Sequence, residues 1–122
     1  MILVDTSVWI DHLHKGDQVM ATALEQEQVL MHPFVIGELA CGNLRNQGEV
    51  LSLLQKLPKP TVASEAEALG FIEGHKLMDR GIGYLDAHLL ASAALETARL
   101  WTRDRRLAAA ASALNLTFEE DW

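Results

Sequence analysis

Four carboxylates stand where a chain of alternating strands and helices would place chemistry. Asp5 ends the apolar run "MILV" and is followed at once by two hydroxyls, Thr6 and Ser7. Asp104 follows "RLWT" in the same way, with Thr102 just before it and Arg103 between. Glu38 lies within the apolar stretch "PFVIGELACG", and Asp86 opens the alanine-rich "LDAHLLASAALE". Singly, each has a plain structural use: Asp5 as a helix N-cap, Asp86 or Asp104 against a helix dipole, Glu38 on a solvated face. Gathered together they would repel, because two unit charges about 4 Å apart interact by roughly 4 kcal/mol at an effective dielectric near ~20. A convergent set must therefore be protonated, paired with Lys or Arg, or bound to a hard divalent cation. Mg²⁺ and Mn²⁺ prefer oxygen ligands and support attack by water on a phosphoryl centre. Arg103 and Arg105, flanking Asp104, could balance the charge with no chemistry at all.

Other polar residues are less directive. His88 lies two positions beyond Asp86, and His12 and His14 are two apart, so neither arrangement chelates one ion from a regular helix, and structural roles are expected. Arg45, Arg103, Arg105 and Arg106 could hold phosphates beside the acids or pair with Glu119 and Glu120. Trp9, Ile10 and Leu13 could face a partner, although core packing is the commoner use of such side chains.

The elements that must position these residues are legible as alternating strands and helices. "ILV" at 2–4 is aliphatic without alternation, as in a strand buried on both faces. A short helix to Gly16, a second over Asp17–Glu27, a strand at "VLMH" and a helix opened by Pro33 follow. Gly48–Leu57 reads as helix, and "PKP" interrupts it. Ser64 with Glu67 forms a capping box, predicting a long helix toward Asp79 or Arg80. "GIGYLD" leads into a helix over Leu85–Ala98, then come a strand at "RLWT", a helix over Asp104–Leu114 and a last strand at "NLTF". Strands separated by helices imply an α/β class with a mostly parallel sheet, whose ligands sit beyond the carboxyl ends of the strands. Asp5 and Asp104 occupy that edge.

Length and composition bound the rest. The 122 residues fit a single domain, 1–122, and 49% hydrophobic with 22% charged residues matches a globular chain. No apolar run approaches the roughly 20 residues of a membrane span, so a soluble, cytoplasmic protein with no membrane partner is expected. Cys41 is the only cysteine; it excludes an internal disulfide and a multi-cysteine zinc site and is expected to be a small buried hydrophobe. The net charge of −7 excludes a wholly basic nucleic-acid-binding surface but not a local basic patch.

With the acids and their elements in place, the chain resembles the PIN-domain family, specifically VapC-type toxins of toxin–antitoxin pairs. "LVDTSVWID", "ELACG", "GYLDAHLLASA" and "LWTRDRRL" carry the resemblance, in family order from Met1 to about Phe118. It implies a three-layer α/β domain with helices flanking a mostly parallel central sheet. It also implies a catalytic metal pocket of Asp5, Glu38, Asp86 and Asp104, with Thr6 or Ser7 organising it. Asp5, Glu38 and Asp86 are expected as the main ligands, with Asp104 in an outer or second-metal role. The implied activity is Mg²⁺- or Mn²⁺-dependent hydrolysis of RNA, transfer or ribosomal, with a cognate antitoxin and homodimers as partners. The alternative is a non-catalytic PIN-like module acting through a protein partner. A dehalogenase-like phosphohydrolase would want an Asp where Ser7 stands, and a receiver domain an acidic pair near the first strand and a late lysine.

Overall fold

The computed structural model describes residues 1–120. Ile2–Val4 (β1) is buried along its whole length between Val29–Leu30 (β2) and Arg99–Trp101 (β3), and all pairings are parallel. The order β2-β1-β3 makes β1 central, which explains an aliphatic run with no polar face. Parallel neighbours need crossovers, and the helices supply them: Thr6–Lys15 (α1), Gln18–Glu25 (α2), Pro33–Ala40 (α3), Gln47–Leu54 (α4), Glu65–Gly74 (α5), Tyr84–Glu96 (α6) and Arg105–Ala113 (α7). Leu3, Val4, Met20, Leu90, Leu100, Trp101 and Leu107 form part of one continuous core around the sheet. Among the described residues, no helix is long and apolar enough to cross a membrane.

Local chemistry sets the helix ends. α1 stops at Gly16, whose φ of 78° suits glycine, and α3 starts on Pro33 with the His32 ring accepting the Phe34 N–H. His32 is fully buried beside the Ser92 hydroxyl, and burial, aided by His88, pushes its pKa down to about 4, so the ring is neutral. The Ser64–Glu67 capping box is present.

Several expectations fail for identifiable reasons. The helix from Glu65 ends at Gly74: Lys76 turns left-handed at φ 54°, and Leu77–Asp79 is a separate 3₁₀ turn. "NLTF" forms only an isolated bridge, Leu100 with Thr117, in place of a strand. Cys41 is exposed, because Leu39 takes the buried position and the residue two further on the helical turn faces outward.

Thr97 closes α6 in the left-handed region at φ 54°, where a β-branched residue is strained. Asparagine tolerates this conformation, so Thr97→Asn is expected to stabilise the chain by about 1 kcal/mol. An unchanged urea midpoint would show that the turn costs threonine nothing.

Candidate active site

Asp5 leaves β1 with its N–H donated to the Trp101 carbonyl (2.9 Å), which ties the strand end to β3. It occupies the N-cap position of α1, yet its side chain makes no capping hydrogen bond. Its carboxylate, 6% exposed, instead accepts from the hydroxyls of Ser7 (2.9 Å) and Thr102 (2.6 Å), both at Oδ2. The capping use of Asp5 is thereby set aside. Glu38 is exposed on α3, where its Oε1 accepts the Thr6 hydroxyl at 2.6 Å. Thr6 and Ser7 thus serve different acids, a division that adjacent hydroxyls in a sequence do not reveal. Thr102 joins them as an organiser that sequence reasoning noted without assigning a role; no sequence signal pairs it with a residue 97 positions away.

Asp86 lies in the first turn of α6, and the Gly83 main-chain N–H is bonded to its carboxylate. Its pKa is nevertheless raised, first by burial and then by the charge of Asp5, with smaller contributions from Asp104 and Glu38. Asp5, Asp104 and Glu38 thus all lie near enough to Asp86 for their charges to act on it. Asp104 does cap: its Oδ1 accepts from the main-chain N–H groups of Arg106 (2.9 Å) and Leu107 (3.1 Å) at the start of α7. Among the described residues, no group of three or more His, Cys, Asp or Glu side chains has the geometry to hold a metal ion as it stands.

Arginine does not neutralise this pocket. Arg103 pairs with Asp11 of α1 (2.8 Å), Asp17 at the N-cap of α2 (2.6 Å) and Glu120 (2.8 Å). Of the two uses expected for Arg103, phosphate contact or pairing, the structure thus has it paired. Burial raises Asp17, but the Arg103 hydrogen bond and charge outweigh it and hold the carboxyl below its usual range; Arg103 does the same for Glu120. Among the described residues, every ion pair belongs to Arg103, and none reaches the four acids. Arg45 lines a groove of about 600 Å³ together with Glu38, Ile10, Leu13 and Leu44.

The expected structural histidines hold to that role. His88 is buried with its ring between Phe34 (4.8 Å) and Tyr84 (4.6 Å), and His12 accepts the Asp17 N–H at 3.0 Å. Trp9 is core, whereas Ile10 is 49% exposed on the groove.

A profile of the PIN domain matches residues 2–113, nearly the whole chain. This chain belongs to the PIN-domain family. This PIN domain is 43% identical to "Ribonuclease VapC32" of Mycobacterium tuberculosis over 122 residues, 99% of this chain and 98% of that one, which groups it with the VapC-type members. Among solved structures, PAE2754 from Pyrobaculum aerophilum superposes with a TM-score of 0.61 at 18% identity, covering 89% of this chain and 78% of that one. A chain of FitAB bound to an IR36 DNA fragment gives 0.62 at 20% identity, covering 92% and 91%. At such identities these two structures speak to the fold alone.

Proposed function

We propose that this PIN domain is a metal-dependent endoribonuclease, the toxin half of a toxin–antitoxin pair, hydrolysing phosphodiester bonds of transfer or ribosomal RNA in the cytoplasm. The observation that carries the reading is the elevated proton affinity of Asp86 among three other acids with no cation paired to them. A pocket of oxygen donors with uncompensated negative charge fits a hard divalent ion such as Mg²⁺ or Mn²⁺. Asp5, Glu38 and Asp86 would be its direct holders, with Asp104 beside them. The relative named a ribonuclease supports the same assignment.

Bound metal would supply charge neutralisation and Lewis-acid stabilisation at phosphorus. The chain's own residues do the positioning. Thr6 fixes Glu38, and Ser7 with Thr102 fixes Asp5, so neither carboxylate has to be ordered when substrate arrives. A carboxylate of the pocket would help to deprotonate the attacking water. Arg45, on the groove that begins at Glu38, would meet a flanking RNA phosphate. The same groove, with Ile10 exposed on it, would take an antitoxin segment, and the toxin itself would form a homodimer.

The test is cleavage of single-stranded and transfer RNA by the purified chain in Mn²⁺, in Mg²⁺ and with chelator. Cleavage is expected with either metal and should stop with chelator. Cleavage that survives chelation, or none from folded protein supplied with both metals, would overturn the reading; the second result would favour a non-catalytic binding module.

A further inference from the structure

We propose that Arg103 is a positioning residue for Asp5: its guanidinium, clamped by three carboxylates, fixes the main-chain N–H that decides which way the Ser7 hydroxyl points. The inference rests on the metal-dependent reading above and adds to it a mechanism of assembly. A hydroxyl has one proton to donate and lone pairs to accept with. Ser7 Oγ accepts the Arg103 main-chain N–H at 3.0 Å, and Thr102 Oγ1 accepts that of Asp104 at 3.0 Å. The two hydroxyls lie 3.3 Å apart, but the shorter contacts to Asp5 Oδ2, 2.9 and 2.6 Å, take both protons. Oδ2 is thereby committed to the protein. Among the described residues, no hydrogen bond engages Asp5 Oδ1, which leaves that oxygen to face a cation.

The polarity of this relay depends on where the main chain of residue 103 sits, and β3 has already ended at Trp101. The side chain of Arg103 does the holding. It spans Asp11, Asp17 and Glu120, three separate segments, with the Trp101 ring 5.5 Å from its guanidinium carbon. Lysine keeps the charge but lacks the planar fork that reaches several carboxylates at once. Without the fork, Asp11, Asp17 and Glu120 repel one another with too little to bridge them, and the loop carrying the relay loses its anchor.

The experiment measures Mn²⁺ affinity by titration calorimetry for the wild-type chain, Arg103→Lys, Ser7→Ala, the double variant and Asp5→Asn, each below its own melting transition. Arg103→Lys and Ser7→Ala are each expected to weaken Mn²⁺ binding about tenfold. Because both break one relay, the double variant should also lose about tenfold, not the roughly hundredfold of independent effects. A general loss of stability would not produce that coupling. Wild-type affinity in Arg103→Lys, or losses that multiply, would overturn the proposal. Should Arg103→Lys fail to fold, wild-type affinity in Ser7→Ala overturns it equally. Binding that disappears in Asp5→Asn yet is untouched in Arg103→Lys would sink the positioning role alone, whereas a wild-type chain that binds no Mn²⁺ sinks the metal-dependent reading with it.

Discussion

Asp5→Asn is expected to leave a folded chain whose RNA cleavage is slower by about a hundred- to a thousandfold, comparable to the loss of a central electrostatic group in other active sites. The amide oxygen can occupy the place of Oδ2 and keep both hydroxyl donors, Ser7 and Thr102. The amide nitrogen then replaces Oδ1 and presents hydrogens where a cation requires an acceptor. Stability should not fall, because the lost charge is one of those that raise Asp86. Cleavage kinetics in Mn²⁺ measured beside a thermal melt check both halves. Activity within threefold of wild type would remove Asp5 from the site, whereas a collapsed melt would mean that its charge is structural.

The largest effect on stability is expected at Trp101. Its side chain is 1% exposed, meets the Phe118 ring at 5.0 Å and underlies the Arg103 guanidinium. Trp101→Ala empties a core position at the end of β3 and should cost about 3–5 kcal/mol. That is a large share of the roughly 5–15 kcal/mol that holds a domain together. The denaturant midpoint should drop accordingly, and Trp101→Phe should recover part of the loss. A change below about 1 kcal/mol would mean that the surroundings close over the vacancy, since residual cavity volume governs such costs.

Much of the frame was readable before any coordinates. An aliphatic triplet with no polar alternate marks a central parallel strand, Pro33 marks a helix start, and Ser64 with Glu67 marks another, because these signals are local. The break after Gly74 was less legible: no proline interrupts the segment, and the left-handed turn falls on Lys76, a residue with no special preference for it. At the pocket, spacing put the acids at strand and helix ends. It could not say that Asp5 declines its capping position while Asp104 takes up its own, since both stand in the same relation to a following helix. Arg103 was only partly readable. Pairing with Glu120 was among its expected uses and is found, but its other two partners, Asp11 and Asp17, lie 92 and 86 positions away and depend on tertiary folding.

The parallel pairing of β1 with β3 has a consequence for how the protein is made. A ribosome releases Asp5 first, yet the threonine that grips it and the strand that completes its side of the sheet arrive some ninety-seven residues later. Until that late segment clears the exit tunnel, the emerging polypeptide has no finished edge on which the acids can meet. The order of the chain alone thus makes the assembly of this edge a late event.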